Sequence, residues 1–281
     1  MNSIRLYFFF AILVACLTRD VTAQDMRVYT QIRMKFEEGN SQPTQKTADL
    51  QPIVRSVMIF HAGKVYDYIE PAQEITVFEP ALKRYTVINK QRQVRSELSQ
   101  EQILHFLDLA KGEAQKHLLH EDVESNSKSL ELLKFQLHPA FTVAFDAKKL
   151  QLSLDSSNFH YLVTGIAPST PDAVENYLRV ADWTAQLNSV LHPNSLLPGP
   201  RMVLNQELRQ RKLVPSSVEL KVDADPAIHL FAQHEWTWNL KDTDRQMIYD
   251  WEKLLQDPSY RNLPFRQFQQ DVLKAEMARR R

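Results

Sequence analysis

The chain is short of several things at once. It has one cysteine in 281 residues, Cys16, only five glycines, no excess of either charge (34 basic against 34 acidic residues) and no Asn-x-Ser/Thr sequon. With its single cysteine inside an N-terminal apolar run, the body of the protein has neither a disulfide nor a thiol nucleophile. Five glycines leave little material for the Gly-rich loops that cradle phosphates. Balanced charge gives no electrostatic basis for binding nucleic acid or an acidic membrane surface. The basic end Ala278-Arg279-Arg280-Arg281 is too short to alter that, and reads as a solvated helix end. The lack of sequons fits a bacterial envelope better than a eukaryotic secretory route. Also missing are HExxH, GxSxG, a Walker loop, paired CxxC motifs and GxGxxG. No catalytic residue, metal ligand or cofactor is therefore assigned; a hydrolase site assembled from distant Asp or Glu with His stays open as the trailing alternative.

One long hydrophobic run is present, Leu6 to Leu17, "LYFFFAILVACL". It falls short of the roughly 20 residues a membrane-spanning helix needs. Arg5 before it and Val21-Thr22-Ala23 after it complete the pattern of a secretory signal cleaved before Gln24. Residues 1–23 are expected to be that signal peptide and 24–281 one domain, with a subdivision near residue 125 as the alternative. "LVAC", Leu13 to Cys16, also resembles the bacterial lipobox, which would make Cys16 a lipidation site. The expected location is periplasmic or extracellular, or anchored to an envelope membrane through Cys16, with no transmembrane span in the mature chain.

Past the signal, Val28, Thr30, Ile32 and Met34 alternate with polar or charged neighbours and predict a strand. The spacing predicts further strands over 54–61, 64–70, 74–79 and 84–90, in the manner of an antiparallel meander. Ser99 and Gln102 form a capping-box pattern ahead of a helix reaching about His120. Strands are predicted again over 131–137, 140–145, 149–155 and 158–164. Thr170-Pro171-Asp172 opens a helix striped with Val174, Leu178, Ala181 and Ala185 and ended by His192-Pro193. A shorter helix over 201–212, strands over 216–222 and 227–240, a helix capped at Asp242 and a last helix over 265–280 complete the chain. Strands in blocks with helices between them, and no βαβ alternation, indicate an α+β protein on a large antiparallel sheet.

Candidate chemistry is sparse. His117 with Glu121, and His120 with Glu124, fall at helical spacing for metal ligation, but equally suit a solvated helix C-terminus. Glu70, Glu74 and Glu79 lie at strand ends and Asp67 alternates with Tyr66 and Tyr68; all four are expected to face water. Ile228, Leu230, Ala232, His234, Trp236, Trp238 and Leu240 share one face of a strand long enough to require a bend or bulge. Several meander strands are apolar on both sides: Val57 and Ile59 oppose Met58 and Phe60, and Val65 and Ile69 oppose Tyr66 and Tyr68. Such strands need cover on both faces, or one face that receives a ligand.

The run "SVMIFHAGKVYDYIEPAQEITVFEPALKRYTVIN" in an exported chain resembles the lipoprotein-carrier (outer-membrane lipoprotein-sorting) superfamily, best over about residues 26–110. The resemblance implies a large curved antiparallel sheet, half-barrel-like, wrapped over helices and holding a lipid or acyl chain in an apolar cavity. No family motif matches closely enough to transfer a binding residue. The expectation is a non-enzymatic envelope protein whose partner is a hydrophobic ligand or an envelope lipoprotein. Tyr66, Tyr68, Trp236 and Trp238 are its candidate wall residues. The alternative is an envelope structural or interaction protein of the same fold with a filled core and no small ligand.

Overall fold

The computed structural model describes residues 25–35, 50–120, 128–192 and 195–279. Residues 1–23, expected to be a signal peptide, and with them Cys16, lie outside those residues, as do Glu121, Glu124 and the subdivision point near 125.

The alternation at Val28 and Thr30 becomes β1 (Met26–Met34). Next come β2 (Val54–His61) and β3 (Lys64–Ile69), joined through Ala62 and Gly63 at φ 48° and 76°. Two consecutive left-handed residues make the tight turn whose twist matches that of the paired strands. The meander continues through β4 (Glu74–Glu79), β5 (Arg84–Asn89) and β6 (Val94–Ser99). Each loop between them ends on a left-handed residue, Gln73, Lys83 or Gln93. The expected capping box is present: the Ser99 hydroxyl accepts the Gln102 N–H at 3.1 Å, and the Gln102 side chain accepts the Ser99 N–H at 2.9 Å. It opens α1 (Gln100–His120).

Residues 131–137 depart from the expected strand and belong to a helix, α2 (Lys128–Leu137). Their local alternation fits a strand, but Leu132, Phe135 and Gln136 sit on one helical face turned to the interior. Strands β7 (Thr142–Asp146), β8 (Gln151–Asp155) and β9 (Phe159–Ile166) follow, then α3 (Pro171–Leu191) and α4 (Gly199–Arg211). The chain ends with β10 (Val214–Val222), β11 (Ile228–Thr237), α5 (Asp242–Gln256), β12 (Arg261–Asn262) and α6 (Phe265–Arg279). Strand β11 stops at Thr237, short of residue 240, and the register irregularity lies in its neighbour β10, between Pro215 and Ser217. Neither β6 nor β12 was expected.

The twelve strands of the described residues form one open sheet in the order β12-β6-β5-β4-β3-β2-β1-β11-β10-β9-β8-β7. Every pair is antiparallel except the two-residue contact of β12 with β6. Strand β1 joins the two halves, pairing with β2 on one side and β11 on the other. The sheet is apolar on both faces. On the inner face Met26, Val28, Phe60, Val65, Phe78, Val87, Phe159 and Val163 pack under α1, α3 and α4 in the main core. On the outer face Ile59, Tyr66, Ile75, Val77 and Ile88 pack against Ile248 and Trp251 of α5. Helical cover on both sides accounts for the two-sided apolar strands. Among the described residues no helix is long and apolar enough to cross a membrane.

Candidate functional site

Register fixes what meets on the inner face. Asp67, Met58, Val28 and Trp236 form one transverse row across β3, β2, β1 and β11, and Ile69, Ser56, Thr30 and His234 form the next. Beyond these, Val54, Ile32 and Ala232 align, and Met34 faces Leu230. Strand pleating puts all of these side chains on the same side. The last five are only half-buried, so the described helices leave an apolar strip of the inner face incompletely covered. A cavity of about 270 Å³ opens at the other end of this face, where Phe60, Val65, Ala81 and Val180 line it together with Lys64 and Arg179.

The middle of the face is polar. His234 Nδ1 lies 2.8 Å from the Thr30 hydroxyl on the paired strand, and its Nε2 is buried without a hydrogen-bond partner. Burial, reinforced by the positive charge of Arg201, pushes the imidazole down to about 3, so it is neutral at physiological pH. Arg201 reaches this point from the first turn of α4. That helix starts close against α2: a Cβ on Gly199 would come within 2.4 Å of the Gln136 carbonyl oxygen. Gln136 also accepts the Leu197 N–H at 2.7 Å, which fixes the approach to the helix. Arg201 Nε donates to Asn205 Oδ1 one turn on, at 3.1 Å. The nearby Asp182 is occupied by Asn205 and Arg209, at 2.7 and 2.8 Å. No carboxylate forms an ion pair with Arg201 among the described residues.

Two phenols feel the charge of the guanidinium. Tyr177 of α3 neighbours it directly, and burial raises its pKa although Arg201 counteracts the shift. Tyr161 of β9 is pushed up to about 12 by burial, again with Arg201 opposing. Both therefore stay protonated and can donate hydrogen bonds. Asp67 also acts on Tyr177, its charge adding to the rise. Burial alone raises its carboxyl to about 7, and no described group lies within hydrogen-bond distance of it. Its expected role as a water-facing acid is overturned. Alternation correctly placed it opposite the tyrosines, but that side is the helix-covered one. Glu74 is likewise interior, 3% exposed, with His192 at 3.9 Å, whereas Glu70 is exposed as expected.

The four aromatic wall candidates do not share a face. Trp236 and Trp238 stack on the inner side with centroids 5.2 Å apart, and Trp236 meets Tyr177 edge-on at 4.8 Å. The Trp236 indole N–H donates to the Pro215 carbonyl at 2.8 Å. Tyr66 and Tyr68 point the other way and pack against Trp251 of α5, at 6.1 and 5.8 Å. Tyr66 also donates to Glu252 Oε1 at 2.5 Å, a carboxylate that Lys64 binds at 2.8 Å. The pleat separates the two pairs, so no single cavity holds all four.

Among the described residues no three His, Cys, Asp or Glu side chains gather as a metal site. His117 is exposed on α1. No carboxylate is in ion-pair contact with His234 among the described residues, so two carboxylates and a histidine do not converge there. Sequence reading singled out His234 but missed Arg201, Tyr161 and Tyr177. They come from three elements that only the fold brings together, and no motif links them. No known protein-family model matches this chain, and no curated protein is detectably similar to it.

Proposed function

We propose that the protein is an exported envelope protein that performs no catalytic step and binds a lipid, acyl chain or lipoprotein on the inner face of its sheet. In this reading the sheet is a half-barrel, its concave side lies under α1, α3 and α4, and the chain acts in the manner of the lipoprotein carriers it resembles. One observation carries the proposal. The strip Val54–Ile32–Ala232 and Met34–Leu230 is apolar, half-buried and continuous across three strands, with the Thr30 and His234 row between it and the stacked Trp236 and Trp238. Buried apolar area is worth about 25 cal/mol per Å², so an incompletely covered strip is a natural seat for a hydrocarbon chain. Tyr66 and Tyr68 have no part in it.

A second reading has its own support. The main core already draws side chains from both halves of the sheet and from four helices, as an interaction protein with a filled interior would. Native mass spectrometry of the mature protein, purified gently from an exporting bacterial host, separates the two. The carrier reading expects an adduct of lipid mass that organic extraction removes. A bare polypeptide mass, unchanged after incubation with envelope lipids, would leave the filled-core protein. The same spectrum reports whether the chain starts at Gln24 or at an acylated Cys16.

A further inference from the structure

We infer that the cavity where the β2–β3 and β4–β5 turns meet α3 is a binding pocket for a small apolar monoanion, of the kind of a short-chain carboxylate. It lies about 20 Å along β2 from the Val54 end of the apolar strip, and does not depend on that strip's taking a lipid. Its floor is made by Phe60 of β2, Val65 of β3 and Val180 of α3, all buried. Phe60 and Val65 are register partners, so they stand side by side on the inner face. The gap above them stays open because both turns carry small residues there. Gly63, at φ 76° in the hairpin turn, has open space where a Cβ would stand, and Ala81 of the turn Pro80–Leu82 is exposed. Neither residue has a side chain that could reach across and fill the cavity. Its volume of about 270 Å³ falls just below the roughly 300–1,000 Å³ of sites for drug-sized ligands, which suits a short hydrocarbon body and not a whole lipid.

The charges at the cavity select the ligand. Lys64 is held by Glu252 at 2.8 Å, with Glu79 at 3.8 Å, and His61 is held by Asp25 at 2.8 Å. These acids have further partners: Tyr66 donates to Glu252, Arg84 pairs with Glu79 at 2.7 Å, and Arg245 pairs with Asp25 at 3.0 Å. Of the basic residues lining the cavity, only Arg179 lacks an acidic partner among the described residues. Its guanidinium donates to Asn176 Oδ1 at 2.8 Å, which leaves the Asn176 amide N–H groups as further donors. Asn176, Arg179 and Val180 line the cavity from one face of α3, at i, i+3 and i+4 spacing. Arg179 is exposed and Val180 buried, so the charge stands at the mouth and the apolar wall within. This arrangement fits a ligand with a hydrocarbon body and one negative end. The body leaves water, and the guanidinium fork meets a carboxylate through two parallel hydrogen bonds. A doubly charged phosphate would bring its second charge near Asp25, Glu79 and Glu252 with no second free cation, and an amine would meet Arg179 with no free acid.

Ligand-detected NMR titration of the purified protein with hexanoate, 1-hexanol and hexylamine tests the pocket, because the three share a tail and differ in charge. Wild type is expected to bind hexanoate about fivefold more tightly than hexanol, the scale of one ion pair in contact with water, and hexylamine more weakly than either. Arg179→Gln should bring hexanoate down to hexanol and leave the affinity for hexanol in place; Arg179→Lys should restore part of the preference. Ala81→Trp sets an indole across the mouth and should weaken hexanoate and hexanol alike, by at least tenfold. Both positions are exposed, and an unchanged circular dichroism spectrum checks each variant; should one not fold, the other still decides. Equal binding of hexanoate and hexanol by wild type, or a preference that survives Arg179→Gln, overturns the monoanion assignment. Hexanoate that binds Ala81→Trp as well as wild type sits elsewhere and overturns the pocket, as does a wild type that binds no hexanoate; both results leave the lipid reading of the strip standing. Inorganic phosphate that displaces hexanoate at equal concentration would mark a site for bare oxyanions and overturn the apolar ligand.

Discussion

Asp67 and His234 both lie half-buried on the inner face near the middle of one sheet, and removal from water moves them in opposite senses. The carboxyl rises to about 7 and the imidazole falls to about 3, each held neutral by its surroundings. For Asp67 the folded state holds its proton more tightly than the unfolded chain. Its contribution to stability is complete below the ordinary carboxylate range near 4 and is lost as pH rises through about 7. For His234 the unfolded chain binds the proton first. Its contribution is complete above about 6.5 and is lost as pH falls toward about 3. Between pH 4 and 6.5 the two slopes oppose each other and nearly cancel. Asp67→Asn removes one of them. At pH 4.5 the variant should match wild type closely, and at pH 8 it should be more stable, by at most about 4 kcal/mol for a shift of this size. Asp67 keeps part of its surface accessible, which reduces the gain. Urea unfolding at pH 4.5, 6 and 8 measures this directly, and a difference independent of pH would show that Asp67 is not held neutral in the fold.

At the scale of elements, the outer face depends on a single helix. Helix α5 covers Tyr66, Ile75 and Ile88 with Ile248 and Trp251, and Trp251 is 5% exposed. Polar contacts fix its position: Arg27 meets Asp244 at 3.2 Å, and Lys64 and Tyr66 share Glu252. Trp251→Ala should lower stability by about 3–5 kcal/mol, the usual penalty for emptying a buried aromatic site. It should leave any ligand affinity of the inner face unchanged, since the sheet lies between. Urea unfolding beside ligand titration would check both halves, and a loss of affinity without a loss of stability would contradict the assignment of faces. This helix was legible from the sequence, because Met247, Ile248, Trp251 and Leu255 repeat at helical spacing up to Asp257-Pro258, although the cap falls one residue earlier than expected, at Lys241, whose N–H Asp244 accepts at 2.9 Å. So were the meander strands and α3, with their alternation and their Thr170-Pro171 start. Helix α2 was not, because seven residues of mixed Leu, Phe and polar character satisfy either period and only contact with the neighbouring helices decides. Face assignment failed for a related reason. Alternation separates Asp67 from Tyr66 and Tyr68, but a strand apolar on both sides does not reveal which side the larger core will take. The polar centre of the inner face was less legible still, since Thr30 and His234 meet through strand order, and Tyr177 meets Trp236 only through the docking of α3.

The whole molecule turns on β1. The meander β2–β6 and the later strands β7–β11 would be two separate sheets if β1 did not pair with Val54–Phe60 on one side and Leu230–Thr237 on the other. The chain leaves the first half at β6 and comes back against it with α3, whose Trp183 meets Phe78 edge-on at 4.2 Å, and again at α5, β12 and α6, so the first half is closed by segments distant in sequence. The main core follows the same plan, with Phe60, Phe78 and Val87 from one half and Leu152, Phe159 and Val163 from the other in a single cluster. Shared strand and shared core predict that the halves unfold together. Thermal melting followed by far-ultraviolet circular dichroism and by tryptophan fluorescence should give coincident midpoints in wild type. Gln31 is the residue at which to break the link. It pairs with Arg55 and Gln233, and its side chain lies on the outer face away from the main core. Proline there removes an N–H from a strand paired on both sides, a change a central strand tolerates poorly and one worth roughly 3 kcal/mol or more. The Gln31→Pro variant should melt earlier and in two resolved steps. Two steps already present in wild type would instead mean that the halves are independent units, with β1 a contact between them and not the strand that makes them one.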